Sequence, residues 1–386
     1  MTVGLLSDDF EFRRAWCRRV LAVGMLLLIA ATRPLWFSLG EFPQVPWFEF
    51  LCVTPQWVDW CLSGVMVLSL LAMAVVRVGT SWNQIAGAVL IGSLTCLLLL
   101  NQHRLQPWAW FVLLATIATS ARADYSLRWM RWLFFGVYFF SGLSKLEASF
   151  IEGGGDWLID GLLRPFGGSS HSLTRSGREF LLQALSTGEM IAAFCVVVPR
   201  LRRFGLFLVL AMHGALILAL GPWGLDHKPG VLLWNGMFQV LAFPLLWHRD
   251  PGDETEVCLR SRWLGGVVVA MAVVLPCFGQ RWLPIVDQWP SWSVYATWED
   301  SDIRVEFVGG IPARFVDMVL PVGVPEVQLR VNQWSLEETG APIYPSDRFR
   351  TGVHDALDRN PDVELMPVGS AERFWFGTRS RPFEAH

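Results

Sequence analysis

Long apolar stretches recur along the first part of the chain, and short polar loops separate them. A helix needs about 20 apolar residues to cross the hydrocarbon core of a bilayer. By this measure the sequence predicts nine membrane-spanning helices. They lie near residues 20–39, 57–76, 82–100, 107–121, 129–149, 179–198, 204–222, 230–247 and 263–280.

The pattern changes after the ninth stretch, in residues 285–386. Three segments there, SVYATWE, DIRVEFVG and EVQLRVNQW, alternate apolar and polar residues as β-strands do. SDRFRTGVHDALDRN has the polar start and the Asn-Pro stop of a helix, and ERFWFGTR has the composition of a closing strand. The predicted fold is therefore an all-α polytopic membrane bundle, residues 20–280, followed by a small α+β domain.

The distribution of arginine predicts the orientation of the bundle. Basic residues concentrate in the short loops that stay on the cytoplasmic side. The segments that would lie inside hold 14 arginines, whereas the loops that would lie outside hold four arginines and one lysine. We therefore expect residues 1–19 to be a cytoplasmic segment and residues 285–386 to be extracytoplasmic, an N-in and C-out arrangement.

Composition supports an integral, multi-pass membrane protein whose first partner is the lipid bilayer. The chain is 53% hydrophobic and only 17% charged, whereas soluble domains carry about 25% charged residues. Its 21 tryptophans suit the membrane interface, where this residue gathers. A net charge of -3 gives no reason to expect nucleic acid as a partner, and the seven cysteines lack a metal-ligand spacing.

Four polar residues interrupt the apolar stretches. They are Lys145, Glu189, His213 and Asn235. Polar groups inside a membrane are costly, so each is by default a functional hypothesis. Five loop residues are placed where they could face the same cavity: Asn101, Gln102, His103, Asp226 and His227. Each residue also has a structural interpretation, such as a lysine that snorkels to the interface or a glutamate that only pairs with it.

Lys145 is the most informative of these residues. The chain has 31 basic residues, and only Lys145 and Lys228 among them are lysine. Arginine would serve equally well for a snorkelling role, but it stays charged, whereas a desolvated lysine can lose its proton. The choice of lysine here favours a role that needs a titratable amine.

The sequence around Lys145 resembles a known membrane family. The stretch LRWMRWLFFGVYFFSGLSKLEASFIEGGGDWLIDGLLR (127–164) carries the pattern. Its matching positions are Tyr138, Ser141, Gly142, Lys145, Leu146, Asp156, Trp157 and Gly161. This pattern resembles the horizontally transferred transmembrane (HTTM) domain, which is the membrane part of vitamin K-dependent gamma-carboxylases and of their bacterial relatives. The resemblance covers residues 20–250.

The resemblance implies chemistry on a reduced quinone, such as menaquinone or vitamin K hydroquinone, in the outer half of a bacterial inner or plasma membrane. Lys145 aligns with the lysine that deprotonates the quinol, and Glu189 matches an acidic residue of the next span. Together with the polar residues named above, the candidate catalytic residues are Lys145, Glu189 and His213. The candidate substrate-binding residues are Asn235, His227, Asp226, His103, Asn101 and Trp157.

The chain also departs from the family pattern. Ser144 replaces the first of two paired lysines, and the C-terminal domain is far smaller than the lumenal domain of the carboxylases, so peptide carboxylation is not expected. One alternative remains a non-enzymatic protein that binds a quinone or lipid, or a scaffold whose C-terminal domain docks an extracytoplasmic protein partner. A transporter is a further alternative, but the chain lacks an internal inverted repeat.

Overall fold

The computed structural model describes residues 2–121, 123–247, 259–279, 286–294, 302–307, 310–321, 327–359 and 363–365. Thirteen α-helices and four β-strands lie in these ranges. The helices are α1 Thr2–Ala31, α2 Arg33–Phe37, α3 Gln56–Val75, α4 Ser81–Leu100, α5 Pro107–Thr119, α6 Ala123–Ser144, α7 Asp156–Leu163, α8 Arg175–Val197, α9 Arg202–Leu220, α10 Pro229–Leu246, α11 Leu259–Val269, α12 Val331–Thr339 and α13 Asp347–Asp358. The strands are β1 Ile303–Phe307, β2 Val319–Pro321, β3 Val327–Leu329 and β4 Val363–Leu365.

Five helices of the described chain are long and apolar enough to cross a membrane, by length and composition. They are α3, α4, α8, α9 and α10. Two shorter apolar helical segments, Pro107–Thr119 and Arg262–Phe278, accompany them. The helical class and the compatibility with a membrane protein are therefore confirmed.

Several helix boundaries differ from the predicted ones, among them those of α1 and α6. The first helix begins at Thr2, well before the predicted start near residue 20, because charged residues do not stop a helix in the way that they end an apolar stretch. The helix that was expected to contain Lys145 ends at Ser144, the residue before it. Lys145 lies in the turn that follows, where its N–H donates to Gly142 O at 3.2 Å.

Buried arginines cap the C-terminal ends of two helices. The last carbonyls of a helix lack intrahelical donors and carry partial negative charge. The guanidinium of Arg13 donates to Pro244 O at 2.7 Å and that of Arg131 to Leu245 O at 3.1 Å, both at the end of α10. Arg18 donates in the same way to Thr119 O at 3.2 Å at the end of α5.

The chain divides into two compact units. The first, here called the bundle unit, comprises Met1–Leu28, Val67–Ile91 and Pro107–Trp298. The second, here called the mixed unit, comprises Ile29–Met66, Gly92–Gln106 and Glu299–His386. The C-terminal residues therefore share a unit with two earlier parts of the chain.

A small antiparallel sheet lies in the mixed unit, with strand order β2-β3-β1-β4. Ile303 pairs with Leu329 and Val305 with Leu365, so the predicted strand DIRVEFVG is confirmed. The predicted strand EVQLRVNQW is wrong beyond Leu329, because α12 starts at Val331. Buried Val331, Trp334 and Ser335 have the spacing of a helix face, which the alternating interpretation overlooked.

The predicted C-terminal helix is confirmed as α13, which follows Ser346. Residues 293–294 of SVYATWE are not in a strand, and the rest of that segment lies outside the described residues. ERFWFGTR also lies outside them. An aromatic core joins α12 and α13 to an earlier part of the same unit, since the Phe42 ring packs against Trp334 at 4.8 Å and Phe349 at 6.4 Å.

Candidate functional site

A cavity in the bundle unit gathers the polar residues that interrupt the apolar helices. Its empty volume is about 550 Å³, which includes space open to solvent. The lining residues are Val137, Tyr138, Ser141, Lys145, Trp157, Leu158, Glu189, Met212, His213, Leu216, Trp234, Asn235, Phe238 and Val294. A mostly apolar lining with a few converging polar groups is the usual composition of a small-molecule site.

Lys145 and Glu189 form a buried ion pair in this cavity. The ammonium nitrogen of Lys145 donates to both carboxylate oxygens of Glu189, at 2.9 and 3.0 Å, and to Ser141 Oγ at 2.6 Å. The Lys145 side chain is 5% exposed and that of Glu189 is 12% exposed. Because the three acceptors match the three hydrogens of an ammonium, this geometry favours a protonated lysine rather than the neutral amine suggested by the sequence.

A second set of hydrogen bonds links three helices across the same cavity. The Asn235 amide nitrogen donates to Val231 O at 2.8 Å, which leaves its oxygen to accept from His213 Nδ1–H at 2.7 Å. In a neutral imidazole His213 Nε2 then carries no hydrogen, and it accepts from the Tyr138 hydroxyl at 2.9 Å. The hydroxyl oxygen of Tyr138 keeps acceptor capacity for a ligand.

Close packing of α6 on α8 brings Lys145 to Glu189. A Cβ atom placed on Gly142 would lie 2.6 Å from Ser186 O, so the two backbones meet at this glycine. From the turn after α6 the Lys145 side chain reaches back to Ser141 of that helix and across to Glu189 of α8. The glycine of the motif therefore positions the ion pair.

Replacing Gly142 by alanine is expected to force α6 and α8 apart. Overpacking typically costs about 1–3 kcal/mol of stability. The matched control is Gly188→Ala on α8, where nothing lies within 4 Å of the added Cβ. That control should stabilise the protein by about 0.5–1 kcal/mol, the preference of a helix for alanine over glycine. Thermal unfolding in one detergent compares the two variants, and equal shifts would contradict the close contact.

The short helix α7 closes one side of the cavity and is held at both ends. Asp156, its first residue, pairs with Arg178 of α8. Near its other end, a Cβ on Gly161 would lie 2.7 Å from Ala219 O of α9. Trp157, between these two contacts, presents its side chain to the cavity.

Aromatic side chains form another part of the cavity wall. The Phe238 ring lies 4.3 Å from Trp234, 4.9 Å from Phe134 and 5.9 Å from Tyr138, measured between centroids. It also lies 5.1 Å from the His213 ring. Such a wall offers flat apolar surface beside the polar groups, which suits a ring-containing ligand with a polar edge.

The structure places the loop residues Asp226 and His227 beside this site. The His227 ring stacks on Trp157 at a centroid distance of 6.2 Å and an angle of 18°. Asp226 adopts a left-handed backbone conformation with φ of 52°, in the exposed turn between α9 and α10. Neither residue is among the described residues that line the cavity.

Asn101 and His103 belong to the mixed unit and line a different, smaller cavity. Asn101 Oδ1 accepts from His103 N at 3.1 Å and from Val45 N at 3.4 Å. His103 Nε2 lies 3.0 Å from Pro342 O and 3.0 Å from Ser335 Oγ. These contacts give both residues a packing role within their own unit.

His103 makes the stability of the protein depend on pH. Burial lowers the pKa of His103 from 6.5 to about 4, against the opposing effect of the Pro342 carbonyl. Between these values the unfolded chain binds a proton that the folded chain rejects, so stability falls as the pH drops from 6.5 towards 4. His103→Gln should flatten this part of the profile of unfolding free energy against pH. Parallel profiles for the two proteins would refute the assignment.

Tyr138 and Ser141 were not predicted as site residues, although both belong to the motif around Lys145. Both touch its network, since Ser141 contacts Lys145 directly and Tyr138 contacts His213. Their signal is positional: they lie seven and four residues before Lys145, on one face of α6. Helical spacing from Lys145 would have identified them.

No family model, curated protein or solved structure matches this chain.

Proposed function

We propose that the bundle cavity binds the ring of a reduced quinone and that the Lys145–Glu189 pair removes a proton from its hydroxyl group. The observation that carries this proposal is the buried ion pair, which lies in one cavity with the Tyr138–His213–Asn235 hydrogen bonds. The aromatic wall supplies surface for the ring, and the ion pair supplies a proton acceptor beside a fixed positive charge.

In the proposed step the quinol O–H proton passes to the Glu189 carboxylate, and the Lys145 ammonium stabilises the quinolate oxygen that remains. The positive charge of Lys145 then stabilises the quinolate that the proton transfer forms rather than the neutral quinol, as catalysis requires. The alternative route, in which Lys145 itself exchanges the proton, is the role that the sequence suggested. The quinolate then gives two electrons to dioxygen. The products are quinone and hydrogen peroxide, and the peroxide carries both protons of the quinol.

The motif around Lys145 supports a relationship to the HTTM domain. Four of its residues, Tyr138, Ser141, Lys145 and Trp157, line the cavity. Two of its glycines lie at close helix contacts, and its aspartate pairs with an arginine. A motif of which half the members line one cavity is more specific than its residue types alone. Peptide carboxylation is not included in the proposal.

Oxygen consumption tests the proposal. The purified full-length protein is mixed with reduced menaquinone or vitamin K hydroquinone, beside Lys145→Met, Glu189→Gln and Lys145→Arg variants. We expect the wild type to consume oxygen well above the protein-free rate and the first two variants to fall to that rate. Retained turnover in Lys145→Arg assigns the proton to Glu189, since arginine stays charged, and lost turnover assigns it to Lys145. A wild type no faster than the protein-free control would overturn the proposal.

A second candidate function is binding without chemistry. It is favoured because the Lys145 ammonium already donates to Ser141 and to both oxygens of Glu189. A ligand could accept a hydrogen bond from it only by displacing one of these acceptors. Saturable quinone binding together with no oxygen consumption would select it. The protein would then be a quinone or lipid carrier or an accessory subunit.

We also propose nine membrane spans with the N-terminus inside and the C-terminal domain outside. Each predicted span overlaps a helix of the described chain, including α1, α5, α6 and α11 besides the five longest apolar ones. The alternating arginine density supports the orientation. Reporter fusions after residues 78, 201 and 386 test it: the first two should report cytoplasm, and the last should report the opposite side.

A further inference from the structure

A cluster of exposed apolar side chains precedes α3 in the mixed unit. Residues Glu49–Val53 form a 3-10 turn, in which side chains three positions apart lie on one face. Phe50 and Val53 have this spacing and are 71% and 83% exposed. Trp57, in the first turn of α3, is 62% exposed. We name Phe50, Val53 and Trp57 the apolar step.

The polar content of this part of the chain is low. Glu49 is the only charged residue between Phe42 and Val58. The Phe48 and Phe50 rings stack at 5.5 Å with an angle of 13°, so the step has an ordered aromatic edge. Exposed apolar area of this kind marks an interaction surface.

The length of α3 indicates where the step lies. The helix has 20 residues, which correspond to about 30 Å at about 1.5 Å per residue. That length equals the hydrocarbon thickness of a typical bilayer, about 30 Å, so each end of α3 falls at a membrane–water boundary. The turn directly before Gln56 must then lie at that boundary.

The exposed face of α3 continues the step. Trp57, Leu68, Leu71 and Val75 lie within about 60° of one another around the helix, at about 100° per residue. Leu68 is 67% exposed and Val75 is 77% exposed. An apolar face of this length along a span faces lipid, and the step extends the same face into the turn.

We propose that the apolar step inserts into the interfacial layer of the bilayer and anchors the mixed unit to the lipid surface. Aromatic residues favour this layer because they combine an apolar ring with tolerance of the polar headgroups. The proposal depends on α3 as a membrane span and not on the function of the Lys145 cavity.

Photocrosslinking to lipid tests the anchor. The full-length protein is reconstituted into phosphatidylcholine–phosphatidylglycerol vesicles with p-benzoylphenylalanine at one position. The test variants are Val53→p-benzoylphenylalanine and the more conservative Phe50→p-benzoylphenylalanine. Leu68 on the face of α3 is the lipid-facing comparison, and Arg304, exposed on β1, is the comparison on the sheet. Intact mass after irradiation reports lipid adducts.

We expect lipid adducts at Val53 and Phe50 in yields close to that at Leu68 and several-fold above that at Arg304. Labelling at Leu68 without labelling at either step position would overturn the proposal. So would a predominant crosslink from Val53 to a second copy of the protein, which would make the step a protein interface. Absence of adducts at Leu68 would remove α3 as a lipid-facing span and the anchor with it.

Discussion

Arg104→Met is expected to destabilise the protein by about 3–5 kcal/mol, the usual consequence of removing one partner of a buried ion pair. Arg104 and Asp59 are both fully buried, and the guanidinium donates to Asp59 Oδ1 at 2.7 Å. Four further acceptors of the mixed unit hold the same group: Leu35 O at 3.0 Å, Ser38 Oγ at 3.1 Å, Trp36 O at 3.4 Å and Leu97 O at 3.5 Å. The substitution leaves a buried carboxylate without its cation and several carbonyls without a donor.

Two comparisons make the Arg104 experiment specific. Arg104→Lys should lose most of the same stability, because a single ammonium cannot reproduce a planar fork with several acceptors. Arg359→Ala, which removes an exposed pair with Asp355, should leave the unfolding temperature unchanged within error. Equal effects of the Arg104 and Arg359 substitutions would show that the buried pair is not a stabilising contact. Calorimetry in one detergent provides all three values.

The helices could be predicted from sequence because apolar length is a local property. Every predicted span overlaps a helix of the described chain, yet the start of α1 at Thr2 could not be predicted from hydropathy, since helix formation does not stop at a charge. The strand–helix error at Val331 has a similar cause. A short apolar pattern fits both the period of a helix and the period of a strand, and only packing decides between the two structures.

The candidate site could be predicted in part. Lys145, Glu189, His213 and Asn235 were each suspected because polar groups are rare in apolar helices, and they surround one cavity. His103 has the same residue type as His213, but it packs among residues more than 200 positions later in the chain. Contacts of that separation leave no local signal. The protonated state favoured for Lys145 could not be predicted from the sequence either, because it follows from three acceptors on two helices.

The ion pair between Lys145 and Glu189 allows structure and chemistry to be separated by a double-mutant cycle. Lys145→Met and Glu189→Leu should each cost about 3–5 kcal/mol, because each leaves an unpaired charge in an apolar cavity. The double variant Lys145→Met/Glu189→Leu should recover most of this stability, since apolar replacements of a buried pair are often neutral. Thermal unfolding in a fixed detergent measures the cycle.

Turnover is the second measurement on the same four proteins, which are the wild type, the two single variants and the double variant. If the pair transfers the quinol proton, the double variant is folded and stable but inactive, since neither the proton acceptor nor the positive charge remains. If the pair only joins α6 to α8, the double variant regains function together with stability. A quinone-binding measurement on the double variant distinguishes loss of chemistry from loss of the ligand. The two interpretations of Lys145 that the sequence leaves open thus predict opposite results for one folded protein.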